Sequence, residues 1–140
     1  MGKLLVVENS FNPDKRIEAS LERKLDSDEI YSAGTFEAAF VQLEKRCYTS
    51  AVLPLSFPWH LGGPAVLHGI DFAKRCTDFG INPDGVFAYS SSDEELNAAR
   101  NSGVLLYSRI YKISPNDSNS EDVRINFLVK DVLSYFNRPA

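Results

Sequence analysis

Two histidines, two cysteines and a run of three serines carry most of the reactive chemistry in this chain, and their spacing limits what they can do. His60 and His68 stand eight apart, with no acidic or cysteine neighbours at metal-ligand spacing, so no zinc site is expected and the metal content is read as none. The string Trp59-His60-Leu61-Gly62-Gly63 joins an aromatic ring, an imidazole and a pliant backbone. Trp59 and His60 are therefore a candidate ligand loop, although a tryptophan closing the end of a core and glycines making turns account for the same residues. Gly62 and Gly63 do not follow a strand in either the phosphate-loop or the dinucleotide pattern, so no nucleotide cofactor is expected. Ser90-Ser91-Ser92 precede Asp93-Glu94-Glu95, where backbone donors at a helix start could receive an anion, yet helix capping explains the serines without a ligand. There is no G-x-S-x-G elbow, and both histidines fall in one stretch, so a nucleophile with a base and an orienting acid is not assembled. The expectation is a protein that is not an enzyme.

These residues hang on a regular alternation of elements. Leu4-Leu5-Val6-Val7 reads as a buried parallel strand. A helix follows, capped by Asn12 and opened by Pro13, with Ile17, Leu21 and Leu25 on one face. Residues 29–33 suit an edge strand, and a second helix starts at Thr35 with Phe36, Phe40 and Leu43 inward. Ala51-Val52-Leu53 is a third strand, expected to stop at Pro54 because proline has no N–H for a ladder. Residues 54–68, with three prolines and two adjacent glycines, read as a long connection into a helix over 69–76. Residues 85–89 form a fourth strand, Ser92 to Glu95 a capping box opening a helix closed by Gly103, and residues 104–113 a fifth strand. From Asp122 the spacing of Val123, Phe127, Val129 or Lys130, Leu133 and Phe136 predicts a last amphipathic helix. Five strand–helix repeats with right-handed crossovers give an α/β, flavodoxin-like sandwich over residues 1–140. Its five-stranded parallel sheet takes the order 2-1-3-4-5, with any site at the carboxyl edge.

Composition supports one globular domain. At 140 residues and 44% hydrophobic the chain can bury a core. Fifteen basic residues are scattered among nineteen acidic ones, no basic run exceeds two, and the net charge is −4, so nucleic acid is not the expected partner. Four apolar residues at the start are too few for a secretory signal and no stretch suits a membrane span, so no membrane role is expected. Cys47 and Cys76 need no disulfide, so a reducing cytoplasm is the expected compartment. The aromatic and basic mixture of Tyr107, Arg109 and Tyr111 near the fifth strand suits a contact surface for a protein partner or a homodimer.

Several partial motifs point further. Lys3-Leu4-Leu5-Val6-Val7-Glu8-Asn9, Pro54 with Pro58 four residues on, Gly69-Ile70-Asp71-Phe72-Ala73-Lys74-Arg75-Cys76, and Asn101-Ser102-Gly103-Val104 with Tyr107 together span nearly the whole sequence. In these features it resembles the receiver domains of bacterial response regulators. The resemblance implies a Mg²⁺-binding phosphorylation site built on two acidic residues and an aspartate at the end of the third strand. Here Glu8 matches the first acidic position, Asn9 is neutral, and Pro54 stands where the phosphoacceptor would be. The switch hydroxyl would fall at Ser90, or at Ala88, and the phosphate-contacting lysine at Ile110 or Arg109. The implied protein is a pseudo-receiver, unable to take a phosphoryl group, that works in signalling through protein contacts on its fourth helix, fifth strand and fifth helix. A flavodoxin-like binder of a small ligand or anion, using Glu8, Trp59, His60 and Ser90, is the alternative.

Overall fold

The computed structural model describes residues 2–7, 16–26, 28–58, 65–66, 68–113 and 123–137. Strand β1 (Leu4–Val7) pairs in parallel with β2 (Ile30–Ala33) on one side and β3 (Ser50–Pro54) on the other. Two further parallel strands, β6 (Val86–Ser90) and β7 (Ile110–Lys112), complete the sheet in the order β2-β1-β3-β6-β7. Among the five main strands this is the expected 2-1-3-4-5 flavodoxin-like order. The two remaining strands, β4 (Phe57–Pro58) and β5 (Ala65–Val66), form a small antiparallel ribbon outside that sheet.

The sheet is apolar on both faces, which is why its central strands read as unbroken hydrophobic runs. Leu5, Val7, Ala51, Leu53, Val86 and Ala88 face one way, into a core closed by α2 (Phe36–Lys45), α3 (Gly69–Asp78) and α4 (Asp93–Asn101). Leu4, Val6, Val52, Phe87 and Tyr89 face the other way, toward α1 (Arg16–Glu22) and α5 (Val123–Phe136). Each fully buried Leu or Val contributes about 1.5–3 kcal/mol, so register is strongly fixed: a slip of one residue would exchange the two faces. Cys76 is buried in the first core and Cys47 is exposed, and both are free thiols. Among the described residues no helix is long and apolar enough to cross a membrane.

Three expectations are corrected, while the third strand does stop at Pro54, which lies in register with Tyr89 and is followed by the Leu55 N–H donating to the Tyr89 carbonyl at 2.9 Å. The connection after it contains the β4–β5 ribbon. The fifth strand is only three residues long: Leu105 enters the core, while Leu106 and Tyr107 stay exposed and residues 107–109 coil into a 3-10 turn. On α5 the inward face is Ile125, Leu128, Val129, Val132 and Phe136, leaving Phe127 58% exposed rather than buried.

Candidate functional site

The carboxyl ends of the central strands bring Val7, Pro54, Tyr89, Ser90 and Lys112 to one edge of the sheet. Register fixes this grouping, since Pro54 lies opposite Tyr89 and Ser90 opposite Lys112. Pro54 is buried and offers neither an N–H nor a side-chain oxygen. The phenol of Tyr89 donates to the Val7 carbonyl at 3.0 Å. Because β3 lies between β6 and β1, this side chain spans the third strand at the level of Pro54.

Ser90 sits at the center of a closed set of hydrogen bonds that opens α4. Its hydroxyl accepts from the Ser92 N–H at 3.0 Å and donates to Glu95 Oε1 at 2.6 Å, while the Glu95 N–H donates to Ser92 Oγ at 3.4 Å. The predicted capping box is therefore present in a relayed form, with Ser90 inserted between the Glu95 carboxylate and the Ser92 amide. Lys112 Nζ reaches Asp93 Oδ1 at 2.8 Å, an exposed ion pair worth at most about 1 kcal/mol. Between these groups lies a depression of about 290 Å³ lined by Pro54, Ser56, Tyr89 and Ile113, together with Ser90 to Ser92 and Glu95. Asp93, Glu94 and Glu95 occupy the first turn of α4 and set its field against an anion.

Arg109 is not part of this group. It precedes β7 and so lies toward the amino edge, where Nε donates to the Asp84 carbonyl at 2.7 Å and Nη2 pairs with Asp84 Oδ1 at 3.1 Å. Its guanidinium also stacks 4.6 Å from the Phe87 ring centroid. Ala88 is fully buried and Ile110 nearly so, which leaves Lys112 as the described cation at the carboxyl edge. Lys112, counted from the sequence only among the aromatic and basic residues of the last strand and helix, ends β7 and so reaches this edge. The available signal was a lysine ending the fifth strand just before the polar run from Ser114.

The three residues proposed as a partner surface divide. Tyr107 is 69% exposed, beside the exposed Leu106. Tyr111 instead stacks on Phe87 and donates its hydroxyl to Asp131 Oδ2 at 2.6 Å. Burial pushes its phenol pKa well above the ordinary value, and the bond to Asp131 adds to the shift. Glu8, Asn9, Trp59 and His60 lie outside the described residues. Among the described residues no three potential ligating side chains cluster as a metal site. No protein-family model matches the sequence, and no curated protein is significantly similar to it.

Proposed function

We propose that this chain is a receiver-like regulatory domain of the cytoplasm that cannot accept a phosphoryl group. In this reading it acts through protein contacts, without catalysis, a cofactor or a nucleic-acid partner. The observation that carries the reading is Pro54 at the carboxyl end of the middle strand, with the Tyr89 side chain spanning that strand to bond Val7. A phosphorylation switch needs a nucleophilic oxygen there and a cation free to follow the phosphoryl group. Proline supplies no oxygen, the Ser90 hydroxyl is engaged by Glu95, and Lys112 is paired with Asp93. The contact surface is assigned to the exposed apolar side chains of the last elements, Leu106 and Tyr107 before β7 and Phe127 on α5.

The small-ligand or anion-binding alternative draws on the depression beside Ser90. It stands second because three carboxylates occupy the first turn of the helix that an anion would use. Incubation with acetyl phosphate and Mg²⁺, read by intact-mass spectrometry, tests the first reading. The expected result is unmodified protein, and a stoichiometric acid-labile phosphoryl adduct overturns it.

A further inference from the structure

A second concavity, of about 630 Å³, runs between α1 and α5 on the face of the sheet away from α2, α3 and α4. Among the described residues its lining carries three cations, Arg23, Lys24 and Lys130, and no carboxylate. In a chain of net charge −4 this is a local reversal of sign. The Arg23 side chain donates Nε to the Ala19 carbonyl at 3.3 Å. Lys24 and Lys130 are exposed, and the side chain of neither has a hydrogen-bond or ion-pair partner among the described residues. Between the charges the groove offers apolar surface from Val129 and Leu133, and neutral hydrogen-bonding groups from Asn126 and Ser134.

From this arrangement we infer that the α1–α5 groove binds an acidic, partly apolar segment of a partner protein. Carboxylates of that segment pair with Lys24 and Lys130, and an apolar side chain between them rests on Val129 and Leu133. The amide and hydroxyl groups of the groove suit the exposed peptide bonds of an extended chain. A nucleotide fits the same charges less well. Among the described residues no aromatic ring lines the groove to stack on a base. This inference is independent of the receiver-like reading, because it uses neither the carboxyl edge nor the turn before β7.

The test is fluorescence anisotropy of the full chain with a labelled synthetic peptide of alternating glutamate and leucine, at low salt. A matched peptide with glutamine in place of glutamate and unlabelled ATP as competitor form the other arms. Binding of the acidic peptide is expected, weakened about tenfold by the double substitution Lys24→Glu and Lys130→Glu and weakened by added salt. The glutamine peptide is expected to bind at least about tenfold less tightly. Both lysines are solvent-exposed, so circular dichroism of the double variant should match the parent. Lys130→Gln alone supplies a milder variant if it does not. No binding at millimolar peptide, equal binding of the glutamine peptide, affinity indifferent to the lysine substitutions, or displacement by ATP at lower concentration than unlabelled acidic peptide would each overturn the proposal.

Discussion

Tyr111 shows how much of a side chain's role is set by what it meets after folding. Sequence placed it on a contact surface with Arg109, since aromatic and cationic residues mix there. In the fold its hydroxyl is held by Asp131 and its ring by Phe87, so it joins β7 to β6 and α5. Burial first, and the Asp131 bond second, raise its pKa above the ordinary value of 10.0. The folded protein therefore keeps this proton where the unfolded chain would release it. Stability from this group is full below about pH 10 and is lost as pH rises beyond it. Tyr48 and Cys76 are shifted in the same direction by burial and add to the alkaline loss. Tyr111→Phe is expected to cost about 1 kcal/mol at neutral pH through the lost hydrogen bond. It should also make the alkaline fall shallower by up to about 1.4 kcal/mol per pH unit, as one titrating group is removed. Urea denaturation across the alkaline range checks both, and an unchanged slope would refute the assignment.

Elements were legible where pattern and burial coincide. Leu4 to Val7 were read correctly because a strand buried on both faces needs only a continuous apolar run. Thr35 was read only as the start of the second helix, and the structure shows it capping that helix, its hydroxyl accepting from the Ala38 N–H at 3.1 Å. Phe127 was misplaced because two overlapping apolar stripes share α5, and only packing against α1 and the sheet selects the one through Ile125 and Leu128. The β4–β5 ribbon, two residues to a strand, is too short for any periodicity. The carboxyl edge was legible at Pro54 and Ser90, but Tyr89 and its acceptor Val7 are 82 residues apart, and no local signal connects them. Gly69 is a related case. It opens α3 with its N–H donating to the Leu55 carbonyl at 2.9 Å, and an added Cβ would stand 2.5 Å from the Leu55 Cα and 2.8 Å from its oxygen. Those contacts are backbone and cannot swing aside. Gly69→Ala is expected to lower stability by about 1–3 kcal/mol, seen as a reduced urea midpoint. A parental midpoint would mean that α3 shifts freely against β3.

At the scale of the whole molecule, the sheet separates two cores and, among the described residues, leaves few large apolar side chains in water. Leu106 and Tyr107 are adjacent among them, 42% and 69% exposed. Surface residues of this kind contribute little to folding, so the paired change Leu106→Ser and Tyr107→Ala should move stability by no more than about 0.5 kcal/mol. If the turn before β7 is the contact surface, the same change weakens self-association or partner binding, measured by sedimentation velocity or by titration of an isolated partner. Association that survives it would move the surface elsewhere, whereas Arg109 and Tyr111 are poor probes because their loss disturbs the fold itself. Tyr89 has a mechanical consequence at this scale as well. Ladder bonds join each strand only to its immediate neighbour, but this side chain ties β6 to β1 over the strand between them. It works as a diagonal brace, stiffening the carboxyl edge against shear, so that a load applied there turns three strands together instead of letting one slide past the next.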